Sequence, residues 1–397
     1  MSQRIDPQQG AIVIGLMSGT SLDGISAAAA RFVDTADGRI TASLLATGGR
    51  SYSAEERARL EAAMRSGSAR DYCCLHADLG EWLADAAESV ITTLALPREQ
   101  IAAVVSHGQT LWHEPGHSTW QIGDATRIAE RTGCAVISDL RSRDVAAGGH
   151  GAPLVPMADV RLFSHPTAWR ALQNLGGIGN VAVVPPSSEA NTANEYAVEA
   201  FDTGPGVVII DGVTRLVRPQ LTCDLDGALA RAGTPVMDVV HEMLQAPFFS
   251  MVPPKSTGRE WFTREYIAQF RERCMALGAS DEDVVATATA FTAHTIADQY
   301  QRFVRRPIHD IVLAGGGAKN PALVDAIAST VNERRVRDGS PPVAVVRFDD
   351  LFFDGEAKEA VAFALMGYLH MTGRSGNVPS ATGARGPRVL GQYIPAT

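Results

Sequence analysis

The sequence predicts an α/β protein built as two lobes, and three observations carry that expectation. Short β-branched runs alternate with segments of helical spacing, the pattern of sheets covered by helices. Four glycine-rich turns each follow a buried-type strand directly. A strand–turn–strand unit near the N-terminus recurs about 160 residues later, at 171–185. A length of 397 residues fits two large domains at roughly 100–200 residues each.

Ala11–Leu16 (AIVIGL) is a strand that ends in a Gly/Ser/Thr turn, and Ile25–Phe32 is the strand after it. Ser53–Arg65 and Cys73–Leu94 are predicted helices; in the second, Leu75, Leu79, Trp82, Leu83 and Ala86 share one face. Ile101–Ser106 and Cys134–Leu140 read as strands, with a helix over Ile128–Thr132 between them. The second hairpin is Ala171–Leu175, a turn at Gly176–Asn180, and Val181–Pro185. Ala197–Asp202 is a further strand, and a helix should start near Val208. Asp281–Val304 is a long amphipathic helix and Ile308–Ala314 a strand. After Gly315–Gly317, Asn320 suits a helix N-cap and Pro321 the first helical position of Pro321–Ser329. Glu356–His370 is the last helix, and the Gly/Pro/Ser-rich tail beyond Thr372 should wrap the surface.

Hydrophobic residues make up 45% and charged residues 20%, enough apolar material for a sizeable core and unlike a disordered chain. A net charge of −9 argues against a general nucleic-acid binder. No apolar run approaches the roughly 18–20 residues that span a membrane, and Met1–Gly10 has no apolar signal core, so the cytoplasm is the expected location. Five cysteines without a CxxC pair read as reduced thiols rather than a disulfide or zinc framework.

The loop Gly15–Gly24 (GLMSGTSLDG) carries small residues and hydroxyls that let backbone N–H groups approach phosphate oxygens. Gly19, Thr20, Ser21, Asp23 and Gly24 are its candidate phosphate contacts, and Asp23 is the candidate magnesium residue, acting through water. It matches neither the GxxxxGK[ST] loop nor GxGxxG, so a ligand-free hairpin fits the pattern equally. The later turns supply Gly176, Gly177, Asp202, Gly204, Gly206, Gly315, Gly316, Gly317 and Asn320 as nucleotide contacts, because ligands of α/β sheets gather where such loops end the strands. Ser106–Thr110 followed by Trp112, Trp120 and Gln121 is a polar and aromatic stretch of the kind that grips a sugar. Its candidate contacts are His107, Gln109, Trp120 and Gln121. In Arg141–Pro153 (RSRDVAAGGHGAP), Asp144 at a strand's end is placed to take a proton, or is held by Arg141 or Arg143 in an ordinary salt bridge. Lys255 and Arg259 offer positive charge in PKSTGRE, and Glu359 lies in the first turn of the last helix.

Taken together, GLMSGTSLDG, SHGQTLWHEP, WQIGD, RSRDVAAGGHGAPLVP, NLGGIGNV, FDTGPG, PKSTGREWF, LAGGGAKNP and KEAVAFA resemble the anhydro-N-acetylmuramic acid kinases, in order and over nearly the whole chain. The resemblance implies two RNase-H-like lobes of the actin, sugar kinase and Hsp70 ATPase fold with an interlobe cleft. It implies ATP and Mg²⁺, and a reaction that opens 1,6-anhydro-N-acetylmuramic acid with water and phosphorylates O6. Asp144 would be the general base and Glu359 would hold the sugar or the water. Arg141, Arg143 and Lys255 are the candidates for the lactyl carboxylate. Three positions depart from the family pattern: Val207 stands where Asn is usual, Leu351–Asp354 replace an Ile-Pro-Pro-like stretch, and Ser26 stands where an acid is frequent. The expected division is residues 1–140 for the first lobe, with the tail 373–397 returning to it, and 141–372 for the second. A kinase of the same fold for another sugar, and a non-catalytic nucleotide-gated sugar-binding protein, are the alternatives; a homodimer is one option for assembly.

Overall fold

The computed structural model describes residues 6–19, 22–189, 197–258 and 261–396. Their twelve strands are β1 (Ala11–Ser18), β2 (Gly24–Asp34), β3 (Ile40–Ser51), β4 (Ile101–Glu114), β5 (Ser118–Ile122), β6 (Val136–Ser138), β7 (Trp169–Leu175), β8 (Ile178–Val184), β9 (Glu199–Pro205), β10 (Ile308–Ala314), β11 (Ala344–Arg347) and β12 (Gln392–Ile394). The chain forms two compact units: residues 1–164, 189–198 and 357–397, and residues 165–188 and 199–356.

The sheet of the first unit runs β12-β6-β4-β1-β2-β3, with β5 paired to β4. β1, β2 and β3 form an antiparallel meander, while β4 runs parallel to β1 and β6 parallel to β4. The sheet of the second unit runs β11-β10-β7-β8-β9 and follows the same plan: an antiparallel meander β7-β8-β9, then β10 parallel to β7 and β11 parallel to β10. Each unit therefore has the RNase-H-like strand order, and the recurring hairpin is its visible trace in sequence.

β1 is buried along almost its whole length, so it reads as a continuous apolar run rather than an alternating one. Gly15 explains how a helix covers it so closely. A Cβ on residue 15 would fall 1.9 Å from the Ala360 carbonyl oxygen, so only glycine admits the helix Lys358–Met371 at this distance. That approach brings Glu359 to the sheet. The helices Ala54–Arg65, Ala69–Leu94 and Asp281–Phe303 start at complete capping boxes on Ser53, Ser68 and Ser280, each worth about 1 kcal/mol. The cap on Ser68 is why the second helix begins four residues before Cys73. In the second unit, Arg170 on β7 and Asp310 on β10 form a buried two-point ion pair at 2.8 and 2.7 Å.

Several elements differ from expectation. β4 continues to Glu114 because Gly108, at φ +71°, lets the strand turn and pair with β5. β6 stops at Ser138 because Asp139 adopts φ +53°. β3, β5, β11 and β12 lack an apolar run long enough to announce them. The division at residue 140 is displaced too. Residues 141–164, which continue from the end of β6, and the helix of 357–372, which packs on β1, belong to the first unit. The tail is in that unit as well, where β12 pairs with β6 and Asn377, Val378, Thr382 and Leu390 are buried. Among the described residues, no helix is long and apolar enough to cross a membrane.

Candidate functional site

The glycine turns of the second unit converge at one end of its sheet. The Gly206 and Val207 amides donate to the Gly177 and Gly176 carbonyls at 2.9 and 2.8 Å. A Cβ on Gly206 would lie 2.0 Å from the Gly176 oxygen, and one on Gly317 would lie 2.7 Å from the Leu175 Cβ and 2.8 Å from Val207. Gly204 and Gly315 have φ +124° and +84°. Gly316 faces open space, with nothing within 4 Å of an added Cβ. The packed glycines bring strand-end backbones together, and Gly316 leaves a side to which a ligand has access. Asn320 caps the helix Pro321–Arg337 through Leu323 N–H and donates to the Asp224 carbonyl, so its side chain is engaged in structure.

Asp202 sits at this end of β9. Its Oδ2 accepts from Ser256 Oγ at 2.9 Å and from Thr257 N–H at 2.7 Å, both in the PKSTG segment. Desolvation raises its carboxyl above the usual range, against the lowering effect of those two donors. Such a carboxylate is fixed at one oxygen and made basic by its surroundings, the profile of an acid–base group. The sequence placed Asp202 only among nucleotide contacts. The signal it lacked was the partnership with residues 256 and 257, more than fifty positions away.

Lys255 anchors the same segment from inside. It is buried, donates to the Phe248 carbonyl at 3.1 Å and to Gln299 Oε1, and lies 4.5 and 4.8 Å from the Phe248 and Phe303 ring centres. Burial pulls its ammonium down to about 8. Two of its three N–H donors are engaged inside the protein, where they tie the 255–258 segment to Phe248 and Gln299. Arg259 lies outside the described residues.

In the first unit, Asp144 departs from its expected role. The residue is 0% exposed. Its Oδ1 accepts from Asn377 Nδ2 at 2.6 Å and Thr382 Oγ1 at 2.8 Å, and its Oδ2 from Gly151 N–H at 2.8 Å. A general base must face its proton donor. This carboxylate instead stitches the C-terminal tail to the 141–151 turn. A Cβ on Gly149 would lie 2.2 Å from Oδ2, which is why that neighbour is glycine.

Arg141, in contrast, is a part-buried cation held at two points. Its Nε donates to His107 Nε2 at 2.9 Å and its Nη1 to the Gly151 carbonyl at 2.7 Å. Burial lowers it to about 10, with Glu359 and Asp144 acting in the other direction. His107 is buried and packed on Phe363, with Nδ1 2.8 Å from the Gly108 carbonyl. Both ring nitrogens are in use, so His107 is not a direct sugar contact. Gln109 is not one either: it is 0% exposed, and Ser18 Oγ, which also bonds Tyr52, donates to its Oε1 at 2.5 Å. Trp120 is exposed, faces Trp112 across the β4–β5 hairpin and packs edge-on against Tyr72. Gln121 donates to Thr110 and Thr119, and Arg143 is exposed.

Glu359 reaches solvent, yet the protein around it desolvates and raises its carboxyl; Lys358 and Arg141 oppose the rise and Asp23 adds to it. Lys358 itself is bound to buried Asp159 at 2.9 Å. Asp23 is exposed. Gly19 precedes Leu22, whose amide bonds back to the Gly19 carbonyl at 3.3 Å and whose φ is +55°. Gly24 is fixed by packing, since a Cβ there would meet the Arg50 oxygen at 2.4 Å. Thr20 and Ser21 lie outside the described residues.

The sequence profile named anhydro-N-acetylmuramic acid kinase matches residues 11–396. A protein of that name from Caldanaerobacter subterraneus subsp. tengcongensis is 38% identical over 407 residues, covering 98% of each chain. Another from Acaryochloris marina is 39% identical over 387 residues, covering 96% of this chain and 98% of its own. Among solved structures, the activator of the 2-hydroxyisocaproyl-CoA dehydratase from Clostridium difficile with bound ADPNP aligns over 91% of this chain and 96% of its own, at 14% identity and a TM-score of 0.45.

Proposed function

The chain belongs to the anhydro-N-acetylmuramic acid kinase family, and from that premise we propose how its residues divide the work of the reaction. The substrates are ATP and 1,6-anhydro-N-acetylmuramic acid, a sugar released in peptidoglycan recycling. Water adds to the anomeric carbon as the C1–O6 bond breaks. O6 then attacks the γ-phosphorus, the bond to the β-phosphate oxygen breaks, and ADP and N-acetylmuramic acid 6-phosphate leave.

The observation that carries the residue assignment is the contrast between Asp202 and Asp144. Asp202 is held at one oxygen and raised by desolvation; Asp144 is sealed and saturated. Asp202 therefore takes the proton of the attacking water. Glu359, whose carboxyl is also raised by desolvation, orients the sugar hydroxyls or that water. Arg141 receives the lactyl carboxylate, because its guanidinium is fixed in place while Lys255 is tied to Phe248 and Gln299. Within the second unit, the turns at Gly176–Gly177, Gly204–Gly206 and Gly315–Gly317 contact ATP. Asp23, exposed at the first loop, would hold through water the Mg²⁺ that accompanies ATP, and the ion would neutralise charge on the transferred group. Catalysis is then mainly positioning plus electrostatic stabilisation. We place the protein in the cytoplasm, where ATP is supplied; a homodimer is a separate proposal that sedimentation would test.

The direct test incubates the protein with ATP and the anhydrosugar and reads the product by phosphorus NMR. A phosphomonoester on O6 of a reducing sugar is expected. Absence of product, or a phosphorylated sugar with its anhydro bridge intact, contradicts the assignment.

A further inference from the structure

Arg141 and His107 meet in an arrangement that a simple buried histidine does not require. The Arg141 Nε–H points at His107 Nε2, so that nitrogen must be the unprotonated, accepting one. The other ring nitrogen then carries the proton and donates it to the Gly108 carbonyl. Gly108 holds φ +71°, which is what turns its carbonyl to the ring of the residue before it. Burial and the nearby guanidinium both disfavour a second proton and push the imidazole down to about 3, so the tautomer persists across the working pH range. The second fixed point of Arg141 is the Gly151 carbonyl, and the amide of the same Gly151 bonds Asp144. A guanidinium held at Nε and at Nη1 has lost its rotational freedom before any ligand arrives, and a planar fork set in this way suits a carboxylate better than a flexible cation does.

We propose that His107 is a positioning residue for substrate selection: as an obligate hydrogen-bond acceptor it aims Arg141 at the substrate carboxylate, and so sets the preference for a lactyl-bearing anhydrosugar over one without the lactyl group. The inference rests on the reading that Arg141 receives that carboxylate. It adds that the preference resides in the acceptor behind the arginine.

The test compares two asparagine-type replacements. His107→Asn places a donor near the Nδ1 position and keeps the bond to Gly108, but offers no acceptor at the Nε2 position. His107→Gln offers an acceptor there. For each variant, kcat/KM is measured with 1,6-anhydro-N-acetylmuramic acid and with 1,6-anhydro-N-acetylglucosamine, which lacks the lactyl carboxylate. The ratio of the two should fall roughly tenfold in H107N, chiefly through KM of the lactyl-bearing sugar, and recover in H107Q. Arg141→Lys, which keeps the charge but loses the two-point hold, should reproduce the H107N ratio, and the double variant R141K/H107N should add nothing further. R141K also carries the test alone if both His107 variants misfold: a wild-type ratio in R141K overturns the proposal. Equal ratios in H107N and H107Q overturn the positioning role while leaving the proposed reaction standing. A wild-type protein that turns over both sugars equally overturns the reading of Arg141, and the positioning role with it.

Discussion

Asp202 and Asp144 are both aspartates beside glycine turns, and their surroundings give them opposite consequences on substitution. Asp202→Asn removes a desolvated charge while its amide oxygen still accepts from Ser256 and Thr257. Turnover should drop by at least about a thousandfold with ATP binding retained, as expected for loss of a general base acting with positioned partners. The stability effect has the opposite sign. A carboxyl raised in the folded state binds its proton more tightly there than in the unfolded chain, so its contribution to stability is full at low pH and is lost as pH rises through the folded value. At neutral pH the Asn variant should therefore melt no lower than the parent, which calorimetry checks. The acid limb of kcat/KM should also lie above the ordinary aspartate range, because Asp202 must be ionised to accept a proton. Asp144→Asn should do the reverse. It turns an amide donor toward donors from Gly151, Asn377 or Thr382 in a sealed site and should cost roughly 3 kcal/mol, read as a lowered denaturation midpoint and as faster proteolysis of the tail.

At the scale of elements, the glycine turns separate packing from ligand contact. Gly206→Ala would drive a methyl into the Gly176 carbonyl and should destabilise the second unit by about 1–3 kcal/mol. Gly316→Ala meets nothing in the protein, so it should leave the melting temperature unchanged and weaken ATP binding, as isothermal titration can measure. Unchanged affinity in a stable Gly316→Ala variant would remove that turn from the nucleotide site. These turns were legible in the sequence because glycine after a β-branched run is a local signal. The helix starts at Ser280 and Asn320 were legible for the same reason. β3 was not, because Thr, Ser and Gly at its exposed positions disguise a strand defined by pairing with β2. The saturation of Asp144 was not legible either, since two of its partners, Asn377 and Thr382, lie more than two hundred residues away in a tail that reads as loop. Gln109 and His107 looked like sugar contacts because their type suits a sugar; only packing shows that their polar atoms are already paired.

At the scale of the whole molecule, two sheets that share a five-strand order divide the chemistry. The unit formed by residues 165–188 and 199–356 carries the converging glycine turns and Asp202, and the other carries Arg141, Glu359 and the first loop. The recurring hairpin was legible in the sequence; the boundary was not, because the chain leaves the first unit after Ser164, rejoins it over 189–198, leaves again and returns at Ala357, a path fixed by long-range packing. The family match spans both units, so the reaction is a property of the full chain. In that reaction an internal sugar ether is hydrolysed as the phosphoryl group is transferred. Turnover in ¹⁸O-enriched water, followed by mass spectrometry of the product, tests this most directly. One ¹⁸O on the anomeric hydroxyl of a 6-phosphorylated sugar, with none in the phosphate, is the predicted result; a product without the label, or with the label in the phosphate, would contradict it.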